Sequence, residues 1–148
     1  MTGTNHALAG GLLAKYLPLP LALPLALASH FFLDALPHYG LPNRKRDKST
    51  FWKALFIGDF LLAISFAVFQ IHCHHYAIFL GGLVALSPDF VWVTRVAQSK
   101  SFDLSSNRHW FTKWHAHIQR YERPWGLWVE APLAVVLFYF VFLTPYPR

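Results

Sequence analysis

Charge is what this chain has least of. Asp, Glu, Lys and Arg make up 14% of its 148 residues, against about 25% in soluble globular domains. So small a share excludes an ordinary solvated surface over most of the molecule. Cysteine is nearly absent too: Cys73 stands alone, so no internal disulfide can form. No Gly-x-Ser-x-Gly sequence occurs, which removes the serine-hydrolase nucleophile elbow. The N-terminus has no basic stretch and Lys15 interrupts its first apolar run, so no cleavable signal peptide is expected.

In place of charge the chain carries apolar residues, 55% of the total. They fall into four segments, 17–36, 51–71, 76–97 and 125–143. Each has the roughly 20 residues that a helix needs to cross a ~30 Å hydrocarbon core. The expectation is a single all-α, membrane-embedded domain: four transmembrane helices preceded by a short N-terminal half-helix. That half-helix, up to Tyr16, is too short to cross alone, and its Ala7, Ala9, Gly10, Gly11 and Ala14 allow a neighbour to approach closely.

The formal net charge of +6 is distributed as a membrane protein distributes it. Lys and Arg gather between Asn43 and Lys53 and between Arg95 and Arg123, and none lies between Gln70 and Tyr76. By the positive-inside rule both basic loops, and with them the N-terminus, are cytoplasmic. Trp52, Trp92, Trp110, Trp114 and Trp125 sit in or near those regions, as an interfacial belt does. Anionic membrane lipids are a sufficient partner for the charge, and no nucleic acid is required.

Each apolar segment holds one carboxylate: Asp34, Asp59, Asp89 and Glu130. A lone carboxylate in hydrocarbon is costly and normally faces a partner inside the bundle. With the basic loops inside, all four come to similar depth in one leaflet, although their helices run in alternate directions. His6, His30, His38, His115 and His117 lie on the same side. His30 and Asp34 stand at i and i+4, stacked on one helical face and able to share one cation. Asp, Glu and His at one depth suit a divalent cation, zinc first and manganese second. A proton-sharing polar core without metal remains the alternative. Pro88, inside the third segment, frees a backbone carbonyl one turn earlier, a common device around an intramembrane site. His72, Cys73, His74 and His75 are on the opposite side from every carboxylate in the spans and read as a solvated turn.

Thr4-Asn5-His6 followed by small residues, Ser29-His30-x3-Asp34 with Gly40 beyond, and Leu86-Ser87-Pro88-Asp89 resemble motifs of the bacterial membrane-bound metal-dependent hydrolases. The resemblance covers about a quarter of the chain. It implies His6, His30, Asp34 and Asp89 as metal ligands, with His117 of Trp114-His115-Ala116-His117 as a further one, in a bacterial inner-membrane protein. The chain departs from that pattern where Asp89 is followed by Phe90-Val91-Trp92 rather than by a second Asp and a His.

The leading expectation is therefore a hydrolase of a phosphoester or lipid-linked substrate at the cytoplasmic face. Asp59 or Glu130 would be its general base or a further ligand, and Arg95, Arg108, Arg120 and Arg123 would orient an anionic group. Two other classes stay open, a small transporter that relays ions or protons through the carboxylates and a membrane scaffold without chemistry.

Overall fold

The computed structural model describes residues 1–41, 48–99 and 109–146, with only the helical course given for 95, 96 and 99. Arg44 to Asp47 and Arg108 therefore lie outside the described residues, as do the Arg95 side chain and Arg148.

The molecule is all-α in architecture. Its helices are α1 (Gly3–Tyr16), α2 (Leu19–Asp34), α3 (Thr50–His72), α4 (Tyr76–Ser99), α5 (Trp110–Ile118) and α6 (Leu127–Phe138), the last continued by a π-turn over Tyr139–Leu143. Three stretches are long and apolar enough to cross a membrane: Thr50–His72, Tyr76–Thr94 and Pro124–Leu143. Their outer faces carry exposed Leu62, Val68, Trp128 and Val135, the sequence signature of lipid contact. This is a membrane protein.

Segment 17–36, expected as a fourth crossing, forms a helix of only 16 residues. Pro18 stands at its N-cap and the helix closes at Asp34, short of Pro37, because residues beside proline leave the α region. At 1.5 Å per residue it reaches about 24 Å.

The shortest early helix is the centre of the bundle. Asn5, His6, Ala7, Leu8, Gly10, Gly11, Ala14 and Lys15 of α1 are all buried. Small residues make this possible. A Cβ on Gly10 would come within 2.2 Å of the Gly81 carbonyl oxygen, and one on Gly81 within 2.3 Å of the Gly10 oxygen. Backbones therefore touch between α1 and α4, where dispersion rather than water exclusion holds helices together. Pro88 of α4 leaves the Val84 carbonyl without its helical donor, and Ser87 Oγ supplies one at 2.8 Å.

Lys15 explains itself at the other end of α1. Its ammonium donates to the carbonyls of Phe140, Val141 and Thr144 at 2.9, 2.9 and 2.6 Å. It satisfies the open carbonyls where α6 and its π-turn end, with the favourable sign for a helix C-terminus.

One small element was not foreseen from the sequence. His38–Tyr39 (β1) pairs in parallel with Glu122–Arg123 (β2), His38 opposite Glu122. A Cβ on Gly126 would lie 1.9 Å from the His38 carbonyl carbon, so only glycine permits the crossing of these two segments.

Candidate metal centre

The first turn of α1 is half-buried, and its backbone amides need acceptors that its own side chains do not provide: Thr2, at the N-cap, makes no side-chain cap bond. Two carboxylates from other helices take that role. Asp59 accepts from the Gly3 and Thr4 amides at 2.7 and 2.9 Å. Glu130 accepts from the Thr2 amide at 3.0 Å through one oxygen and from the Tyr39 amide at 2.6 Å through the other. Both residues, expected as a base or ligands, hold backbone amides here. Negative charge at a helix N-terminus is also favoured by the peptide dipoles.

The other two carboxylates meet histidines. His30 sends Nδ1 to the Ala85 carbonyl at 2.8 Å, so Nδ1 carries the proton and Nε2 presents a lone pair. That Nε2 is 3.0 Å from His115 Nε2 and 3.2 Å from Asp34 Oδ2, while His115 Nε2 is 2.6 Å from the same oxygen. Two ring nitrogens and a carboxylate oxygen from α2 and α5 thus converge on one point. Asp89 Oδ1 of α4 stands 3.9 Å from His30 Nε2. His6 Nε2 of α1 is 3.1 Å from Asp34 Oδ1, and its ring stacks on His30 at 4.0 Å between centroids. The Met1 amino group also lies against Asp34 Oδ1. His6, His30, Asp34 and His115 are buried. Burial pushes the His6 imidazole below its ordinary range, against the pull of Asp34, which favours the neutral form that binds metals.

Among the described residues, two overlapping sets have metal-ligand spacing, His6 with His30 and Asp34, and His30 with Asp89 and His115. The residues fit a divalent cation on three counts. In each set the nitrogen and carboxylate atoms lie within 4.8 Å of one another. His30 donates its second ring nitrogen to a carbonyl, as metal-bound histidines do. His6 brings its Nε2 to 3.1 Å from Asp34 Oδ1 from a further helix.

Of the expected ligands, His6, His30, Asp34 and Asp89 come together, and His117 does not. It is exposed, whereas His115 enters the cluster. Two residues on a helix point about 200° apart, so only one of this pair can face inward. The amphipathic pattern of α5 was the available signal: Phe111 and His115 lie on the face against Phe31 and His30. Gln119, one turn further on, donates to Asp34 Oδ2 at 3.0 Å and was not anticipated.

Beside the cluster lies a cleft of about 700 Å³. Met1, Asp89, Gln119, Glu122 and Glu130 form its polar end, and Phe51, Leu55, Phe56, Leu62, Ile64 and Ala67 carry it along α3. From Phe51 to Ala67 it follows roughly 24 Å of helix rise, enough to traverse one leaflet. Arg120 and Arg123 are exposed; Arg123 donates to the carbonyls of Arg120 and Glu122, and Arg120 lies over the Tyr121 ring. At the opposite end of the bundle His74 bonds Tyr76 and His75 bonds Gln70, and neither belongs to a candidate ligand set.

No family model, no curated protein and no solved structure matches this chain.

Proposed function

We propose that the protein is a membrane-bound, metal-dependent hydrolase whose substrate is a lipid-linked phosphoester, met at the cytoplasmic face. The observation that supports this reading is the convergence of His30 Nε2, His115 Nε2 and Asp34 Oδ2, with Asp89 and Gln119 beside them lining an adjacent apolar cleft. These three would hold the cation, with Asp89 and His6 as further ligands. Held there, a zinc or manganese ion would supply Lewis acidity toward water and a phosphoryl oxygen.

The chain's own residues do the rest. The walls along α3 take the lipid chain and exclude water, while Ala85 and Gln119 orient His30 and Asp34 by the bonds already described. Asp59 and Glu130 act by holding the first turn of α1, and so His6, in register. In the same reading the basic loops are cytoplasmic, the N-terminal end of α1 faces that side, and α2 makes the fourth crossing, its shortfall in length met by local bilayer thinning.

Metal analysis of the protein purified in detergent tests the centre. Wild type should carry zinc or manganese near one equivalent. His30→Ala, Asp34→Ala and His115→Ala should lose it, and His117→Ala should keep it. Equal, low metal in all five proteins would leave a proton-sharing core and end the hydrolase reading.

A further inference from the structure

Three helices build the cleft on one plan. Asp59, Asp89 and Glu130 line it from α3, α4 and α6. Away from these carboxylates, toward Ala67, every residue that those helices give to the lining is apolar. The apolar lining follows the carboxylate in sequence on α3 and α6 and precedes it on α4, as alternating helix directions require. Leu62 and Ala67, Leu86 and Leu83, and Ala131 and Ala134 are its members from the three helices. This shaft is not sealed: Leu62 and Leu83 are 60% and 38% exposed. α3 leans on α1 and α4, α6 leans on α1, and the cleft takes lining from both α3 and α6.

The surroundings name the occupant. The shaft lies within the stretches Thr50–His72, Tyr76–Thr94 and Pro124–Leu143, so it opens on hydrocarbon. Water inside it would lack the polar partners that hold a buried water. A lipid chain exchanges one apolar contact for another on entering. Depth follows from helix rise. Ala67 lies eight residues beyond Asp59, about 12 Å, and Ala134 four residues beyond Glu130, about 6 Å. An extended chain advances about 1.2 Å per bond, so the two alanines stand beside about its tenth and fifth carbons. The deeper figure approaches half of a ~30 Å hydrocarbon core, so a chain seated here keeps its bilayer orientation. Asp89, one of the proposed metal ligands, stands at the head of the shaft.

We propose that the shaft seats an alkyl chain of the substrate, admitted sideways from the leaflet between α3 and α6, and that Ala67 and Ala134 set how much of it is accepted. This rests on the hydrolase reading above. It narrows the substrate to an ester that stays in its leaflet while its phosphate reaches the metal cluster. Ala67 and Ala134 determine specificity and take no part in the chemistry. Both are half-buried cleft-lining residues, so larger side chains there can project into the shaft and leave the core in place.

Phosphodiesters of para-nitrophenol with linear chains from butyl to tetradecyl test this, in a sterol-based detergent that has no alkyl chain to compete. Dividing kcat/KM of each variant by that of wild type cancels partition of the ester into detergent. A chain that reaches an enlarged side chain must bend out of the shaft and pull its phosphate from the cluster, at a loss of about tenfold or more. For Ala134→Phe the ratio should break near pentyl, and for Ala67→Trp near decyl, with metal content unchanged. Each variant has its own break, so either one alone tests the seat. A ratio that is flat across chain lengths, or one break shared by both variants, overturns the proposal. A second measurement is independent of turnover. Decyl phosphate with a photoreactive diazirine at its chain end should label α3 near Ala67, and an excess of unlabelled decyl phosphate should displace it. Label that is not displaced, or a cleft covered by a second copy of the chain in a stable dimer, overturns the seat. Should wild type hold its metal and show displaceable label yet cleave no ester, the hydrolase reading falls while the chain seat stands.

Discussion

Replacing Asp59 by alanine removes the acceptor for two amides of α1 at once. Each amide left without a partner in a buried site costs about 1–3 kcal/mol, and Gly3 and Thr4 are half-buried rather than sealed. Water recovers part of the loss, so about 2–4 kcal/mol is expected in total. For a chain of this length each kcal/mol moves the melting temperature by about 2–4 °C, which places the Asp59→Ala midpoint about 4–16 °C below wild type. Asp59→Asn keeps one carbonyl oxygen able to accept and should fall by about half as much. Thermal unfolding in detergent, followed by circular dichroism, measures both, and metal content on the same samples shows whether His6 has moved. A trans-acting cap predicts graded melting, Ala below Asn below wild type, with turnover tracking the folded fraction. If Asp59→Ala melts with wild type while turnover vanishes, the carboxylate belongs to the chemistry and the cap account is wrong.

Other outcomes follow from the same geometry. Lys15→Met should lower the melting temperature by several degrees, since it strips three carbonyls of their donor, and should leave metal content unchanged. Replacing His72, His74 and His75 by alanine together should alter neither metal nor turnover; loss of metal there would put the site at the wrong end of the bundle. Gly81→Val drives side-chain atoms into the Gly10 carbonyl and should prevent recovery of folded protein, whereas Gly58→Ala, with open space around it, should be silent. Reporter fusions after Asp47, Cys73 and Arg148 should read inside, outside and outside; a cytoplasmic signal at Cys73 would reverse the orientation.

Composition alone made the membrane legible, and the i, i+4 placement of His30 and Asp34 made half of the cluster legible. Both follow from local rules, the apolar length of a span and the pitch of a helix. Asp59 and Glu130 were visible as carboxylates within apolar segments, but their partners were not. The acceptors they offer go to amides 55 and 128 residues away, and backbone amides leave no mark in a sequence. The choice between His115 and His117 depended on which side of α5 meets α2, a fact of tertiary docking. The contact between β1 and β2 was hidden for a similar reason: two residues per strand are too few to show a period of two, and the clue lay in Gly40 and Gly126 instead.

The trans-acting caps of α1 bear on how the chain is made. α1 is synthesised before its partners, and the Glu130 carboxylate that satisfies its Thr2 amide lies 128 positions later. At about 5–20 residues per second that acceptor is synthesised roughly 6–25 s afterwards. The oxygens that receive the Lys15 ammonium come later still, at Thr144. Through that interval the future centre of the bundle has open amides, an unpaired ammonium and a row of small residues that lipid packs poorly. Until that helix is made, water, the interface or the insertion machinery must serve the Thr2 amide and the Lys15 ammonium. On the proposed metal reading, a cation that uses His6 is captured after that step. A nascent chain that stops short of the last span presents its own first helix, still open, to the quality-control proteases of the membrane.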